Sequence, residues 1–123
     1  KSQTGPGIQY TYARLNSIID NTNKPSNEFD PNIIQSPEIY ELLNKISEFP
    51  SVLYKVSKDM KPHYLTTYVK ELNDNIKEFY ENCPLKYADS EEIRANRLHI
   101  VKCSINILEI SMDLLVIPKV ENM

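Results

Sequence analysis

Three observations predict an all-α fold, a helical bundle of about five helices. Apolar residues recur every three or four positions along most of the chain, the spacing that gathers them on one face of a helix. The 123 residues include 8 Pro but only 2 Gly, and the prolines fall between the apolar runs, so helices separated by short punctuated loops are favoured over a sheet. No alternating run of β-branched residues competes with that reading. A chain of this length buries somewhat over half of its unfolded surface and is too short for two cores of ordinary size, so residues 1–123 are expected to form a single domain.

The first helix is expected from about Gly7 to Asn21, with Pro6 as its first residue, where a missing N–H costs nothing. At ~100° per residue, Ile8, Tyr12, Leu15 and Ile19 share one stripe, whereas Tyr10, Arg14 and Ser17 lie on roughly the opposite side. Asn21 to Ser36, rich in Asn, Pro and Ser, reads as a mobile connection with one apolar interruption at Ile33-Ile34. Ser36-Pro37-Glu38 supplies a cap, a first-turn proline and a first-turn acid for a helix from Pro37 to Ser47, whose Ile39, Leu42, Leu43 and Ile46 keep helical spacing.

Pro50 restarts a short helix through Val52, Leu53, Val56 and Met60, and Pro62 begins a longer one. That longer helix carries Leu65, Tyr68, Leu72, Ile76, Phe79 and Cys83 on its inner stripe, with Lys70, Asp74, Lys77 and Glu81 away from it. Tyr80 sits on the flank of the stripe, next to the loop Pro84-Leu85-Lys86-Tyr87-Ala88. Asp89, three residues before Glu92, reads as the capping acid of the last and longest helix, which runs through about Leu115 along a seam of Ile93, Ile100, Val101, Ile105, Leu108, Met112 and Leu115. Pro118 ends it.

The formal net charge is −3, so no global positive field is available to hold a nucleic acid, and the cations are spread without a block. A domain that touches only an RNA loop can still rely on stacking and a few local cations. Cys83 and Cys103 have neither CxxC nor paired-histidine spacing and read as free thiols of a reducing compartment. The longest apolar run, Leu114 to Ile117, is far too short to span a bilayer, and the amino terminus lacks the order of a signal peptide. A soluble cytoplasmic protein, with no membrane or DNA partner, is the expectation. The chain begins without methionine, which suggests a piece of a larger protein.

Enzyme chemistry finds no footing. His63 and His99 stand alone, there is no glycine-rich phosphate loop, and no nucleophile has a base nearby in sequence. Tyr10 and Arg14, at i and i+4 on the outward side of the first helix, are different: a phenol ring and a planar fork on adjacent turns suit a flat, anionic partner. On spacing alone, the commoner reading of such a pair is an exposed tyrosine packed on an arginine stem.

Thr4-Gly5-Pro6 followed by Gln9-Tyr10-(three residues)-Arg14 resembles the segment that opens the C-terminal, DALR-type anticodon-binding domain of arginyl-tRNA synthetases. The likeness continues in order through Pro62-His63-Tyr64-Leu65, Tyr68, Phe79-Tyr80, Arg97-Leu98 and the closing Pro118-Lys119-Val120-Glu121-Asn122-Met123. It implies an anticodon-binding helical bundle. It further implies that Tyr10, Arg14, Tyr80 and Met123, with Gln9 beside them, lie at the anticodon loop of tRNA(Arg). The parent enzyme would join L-arginine to that tRNA with ATP and Mg on an upstream class I catalytic domain, so this segment itself would hold no cofactor.

Two positions depart from the family pattern: Gly7 stands where many members have an aromatic residue, and an aromatic found near Pro84 in some members is missing. Tyr87, Tyr64 or Tyr12 could make up the stacking surface, although Tyr12 reads as core. Lys55-Val56-Ser57-Lys58 is similar to the Lys-x-Ser-Lys signature of class I synthetases, but it lies in an expected helix and reads as helical surface; the companion His-x-Gly-His turn is absent. Two alternatives stay open: the related domain of another class I synthetase, such as cysteinyl, and a helical protein-interaction module that binds no RNA.

Overall fold

The computed structural model describes residues 4–20, 29–30, 36–83 and 90–115. These form five helices: α1 (Thr4–Asp20), α2 (Pro37–Ser47), α3 (Phe49–Asp59), α4 (His63–Asn82) and α5 (Glu91–Leu115). No strand occurs among the described residues. The all-α expectation therefore holds, and the helix boundaries agree with the sequence reading to within about three residues, the ordinary scatter of frayed ends being one or two.

The helix ends show how the punctuation works. Ser36 is extended and its Oγ accepts the Ile39 N–H at 3.3 Å, with Pro37 in the first turn, as expected of that triplet. Glu48 lies in the right-handed helical region and closes α2 while opening α3, so the two helices join without a loop. Met60 ends α3 in the left-handed region, φ 55° and ψ 39°, a conformation in which its N–H reaches the Val56 carbonyl at 2.9 Å. Pro62 stands just outside α4, and its carbonyl accepts the N–H groups of Leu65 and Thr66.

Two expectations are corrected here. Pro6 is not the first helical residue, since α1 begins at Thr4; Pro6 still falls within the first turn, where backbone N–H groups have no partner inside the helix. The cap of α5 is Ser90 rather than Asp89: the Ser90 Oγ accepts the Ile93 N–H at 3.2 Å, and its carbonyl accepts that of Arg94 at 3.0 Å. The serine oxygen stands in the register of the first turn, and Asp89 lies outside the described residues.

α4 packs against each of the other four helices, and α1 lies against both α4 and α5. The inner stripe of α4 is buried as read, from Leu65 to Cys83, with Val69 added to it. α5 departs from a single seam. Ala95, Asn96, Leu98, Ser104 and Ile107 are buried along with Ile100, Val101, Ile105, Leu108 and Met112, because neighbours cover α5 on more than one side, whereas Ile93 and Leu115 are only half-buried.

Polar ties fix the packing. The buried Tyr12 donates to Glu109 Oε2 at 2.7 Å, joining α1 to α5, and Tyr68 donates to the Lys45 carbonyl at 2.6 Å, joining α4 to α2. Within the connection between α1 and α2, expected to be mobile, Asp30 is tied to α5: Asn96 accepts the Asp30 N–H and donates to the Asp30 carbonyl, both at 2.8 Å. The rest of that connection lies outside the described residues. Cys83 and Cys103 are free thiols, the first buried with its Sγ 3.3 Å from Ser36 Oγ and the second exposed.

Candidate nucleic-acid interface

α1 presents a narrow ridge. Tyr10 is 54% exposed and Arg14 one turn later is also exposed, whereas Thr11 and Ala13 on either side are buried. This follows from the seat of α1 against α4 and α5, which buries Ile8, Thr11, Tyr12, Ala13 and Leu15 and leaves the side of Tyr10 and Arg14 uncovered. The outward orientation read from the spacing is what the structure has, although Ser17 is only half-exposed.

The ridge is completed by a residue from another helix. The Arg14 guanidinium carbon lies 5.6 Å from the centroid of the Tyr80 ring, near the carboxy-terminal end of α4. Such a contact contributes about 0.5–1 kcal/mol where exposed and, more to the point, holds a long side chain in one place. Tyr80 itself is half-buried against the core. Burial pushes its phenol above the ordinary tyrosine range; the nearby Tyr10 adds to that, Arg14 opposes it, and Glu81 contributes in the same direction as Tyr10. At neutral pH the Tyr80 hydroxyl is therefore a proton donor, and among the described residues it makes no hydrogen bond.

Tyr10, Arg14 and Tyr80 thus converge from two helices into a ring, a cationic fork and a hydroxyl on one surface. Gln9, next to Tyr10 in the chain, is half-buried. Met123, Tyr87 and the surroundings of Pro84 lie outside the described residues. Of the residues that could enlarge the stacking surface, Tyr12 is 2% exposed and belongs to the core. Tyr64 stands near the opposite end of α4, about 24 Å away along the helix at ~1.5 Å per residue, so it cannot serve this cluster.

Arg14 at the Tyr80 ring was not legible from helical spacing, because the two residues lie on separate elements. The cluster offers stacking, charge and a hydrogen bond, and no acid–base pair or nucleophile. Among the described residues no group of His, Cys, Asp and Glu could hold a metal ion, and no helix is long and apolar enough to cross a membrane. Lys55, Ser57 and Lys58 lie on the exposed surface of α3, as read, and not in a phosphate-binding loop.

A family model described as the DALR anticodon binding domain matches residues 8–123. The arginine–tRNA ligase of Korarchaeum cryptofilum is 35% identical over 123 residues, which is all of this chain and 20% of that protein. That of Methanothrix thermoacetophila is 37% identical over 120 residues, 98% of this chain and 21% of the relative. Among solved structures, Thermus thermophilus arginyl-tRNA synthetase superimposes with a TM-score of 0.88 at 26% identity, covering 97% of this chain and 21% of that one. The Plasmodium falciparum arginyl-tRNA synthetase gives a TM-score of 0.77 at 26% identity over 94% of this chain. The chain spans about a fifth of the length of the relatives it matches.

Proposed function

This chain belongs to the DALR anticodon binding domain family, and from that premise we propose that it reads the anticodon loop of tRNA(Arg) through Tyr10, Arg14 and Tyr80. The observation that carries the reading is the convergence of those three side chains on one exposed surface, Arg14 at the face of Tyr80 and Tyr10 beside them. RNA loops are recognised by splaying bases out, stacking them on rings or guanidinium planes and bonding their polar edges. Tyr10 offers the exposed ring, the Arg14 fork reaches a phosphate or a base edge, and the protonated Tyr80 hydroxyl donates to an acceptor.

Stacking contributes about 1–3 kcal/mol per base and selects weakly among bases. Discrimination comes from bonds to base edges, about 1–3 kcal/mol for a good bidentate contact by analogy with groove readout. All arginine anticodons share a middle C, so one tight base pocket is the economical design. Gln9 and the terminal Met123 complete the contact surface in this proposal.

The whole protein would be an arginine–tRNA ligase acting in the cytoplasm, where Cys83 and Cys103 stay reduced. Residues 1–123 form its single anticodon-binding domain, and ATP with Mg serves the upstream catalytic domain. The relatives described above favour arginine over a cysteinyl parent.

The test is binding of the chain to an arginine anticodon stem-loop, beside one with the middle C replaced by U, at low and high salt. Selective loss with U is expected, together with about tenfold weaker cognate binding for Arg14→Ala or Tyr10→Ala, the loss of one stacking or charged contact. Unchanged binding by both variants would remove this ridge from the site. Equal binding to both loops, collapsing at high salt, would mean phosphate attraction only.

A further inference from the structure

The other end of α4 carries a second surface that the anticodon cluster does not use. An open groove of about 1010 Å³ runs between α3 and α4. Tyr54, Lys55, Lys58, Asp59, His63 and Tyr64 line the end of it next to the α3–α4 turn. Tyr54 is 66% exposed, the Lys58 ammonium lies 6.0 Å from the centroid of its ring, and the His63 and Tyr64 rings meet at 4.6 Å with 59° between their planes. The Tyr54 ring is thus open to solvent beside a cation, and Tyr64 is half-buried next to it along the groove.

The charge in the groove is divided by position. Its acids Glu48 and Glu71 lie toward α2, and both are held by Lys45, at 3.4 and 2.8 Å. Toward the turn, Lys55 and Lys58 form no ion pair among the described residues, and Lys61 follows in the turn itself, with Asp59 the acid there. With Glu48 and Glu71 held by Lys45, the end of the groove next to the turn is left with two lysines, Lys55 and Lys58, against one carboxylate, Asp59, beside Tyr54. Lysines beside open aromatic faces are the composition of a surface that tracks a phosphate backbone and stacks the attached bases. A protein partner of matching chemistry would need acidic residues set between flat apolar ones, whereas every nucleotide of a single strand carries both.

We propose that this end of the α3–α4 groove is a second RNA-contact surface, taking an unpaired strand with a base against Tyr54 and Tyr64 and its phosphates at Lys55 and Lys58. It lies about 24 Å from Tyr80 along α4, at ~1.5 Å per residue, so it is physically separate from the anticodon cluster and does not depend on that reading. Its contribution is sequence-tolerant affinity, since lysines and ring faces do not read base edges.

The experiment uses the whole 123-residue chain carrying Tyr10→Ala, Arg14→Ala and Tyr80→Phe, which removes the exposed ring, the fork and the hydroxyl of the anticodon cluster, and a short fluorescent oligouridylate followed by anisotropy at low salt. Residual binding is expected. Adding Tyr54→Ala should weaken it by about fivefold or more, the loss of one stacked base, and Tyr54→Phe should restore it. Adding Lys58→Gln should lower the slope of log affinity against log salt by about 0.7, one phosphate contact on a single strand. Both residues are exposed, so neither change threatens the fold. Absence of oligouridylate binding in the disabled background, or binding indifferent to Tyr54→Ala, overturns the proposal and leaves the groove to a protein partner. If wild-type stem-loop discrimination fails while this binding persists, the anticodon reading falls and the groove stands.

Discussion

Two tyrosines of α4, Tyr68 and Tyr80, have similar surroundings and opposite roles. Each has a cation over its ring, Lys45 at 5.8 Å and Arg14 at 5.6 Å from the ring centroids. Each phenol is pushed up, chiefly by burial. At Tyr68, however, the ring stacks on Phe49 at 5.8 Å and the hydroxyl is taken by the Lys45 carbonyl at 2.6 Å. At Tyr80 the ring flank and hydroxyl are left over, since α1 covers one side of it and nothing among the described residues bonds the oxygen. Packing satisfies the hydroxyl of one tyrosine and leaves that of the other for the contact proposed above, so the same residue type on the same helix has two different surroundings.

The comparison breaks most visibly on truncation. Tyr68→Ala removes a buried ring and a hydrogen bond and should cost about 3–5 kcal/mol of stability, read as a lower urea midpoint with little change in slope. Tyr80→Phe should do the reverse: a stability change within about 0.5 kcal/mol, as at a position whose hydroxyl bonds nothing, but weaker anticodon stem-loop binding by about 1 kcal/mol or more. If Tyr80→Phe destabilises and binds normally, the contrast between the two tyrosines is wrong.

Tyr68→Phe sharpens the same contrast at about 1 kcal/mol, because the Lys45 carbonyl loses the phenol while keeping the Glu48 N–H at 3.1 Å. Its pH dependence has a definite sign. Burial, followed by the charge of Glu48, raises the folded-state phenol above its ordinary value of 10.0. Below that value both states are protonated and the stabilisation is complete; above it the unfolded chain ionises while the folded one does not, so stability falls as pH rises. Unfolding midpoints measured toward pH 11 should therefore bring wild type and Tyr68→Phe closer together, a trend about as large as one hydrogen bond. Smallest is Glu71→Gln, which breaks the 2.8 Å pair with Lys45 at an exposed site and should change stability by less than about 1 kcal/mol in low salt and less again in high salt.

Helix positions and inner stripes were legible because their signals are local. Ser36-Pro37, Pro50 and Pro62 mark starts whatever surrounds them, and the spacing of Ile8, Tyr12 and Leu15 decides by itself that Tyr10 and Arg14 face outward. The resemblance added Tyr80 to the same surface, which periodicity had only placed on a flank. What misled was also local: Asp89 and Ser90 are both good caps, and a difference of one residue in register chose between them.

The sequence by itself determined an all-α chain, its five helical segments and the outward pair on the first of them, since each depends on residues within a turn or two of one another. Only the tertiary structure decided that Arg14 meets Tyr80, that Asn96 clamps Asp30, that Tyr12 reaches Glu109, and that α5 is covered on more than one side. Those partners lie on different elements, and helical periodicity says which way a side chain points without saying which other helix will stand there. The packing of α1 between α4 and α5 supplies that second coordinate, and with it the surface on which the candidate site is built.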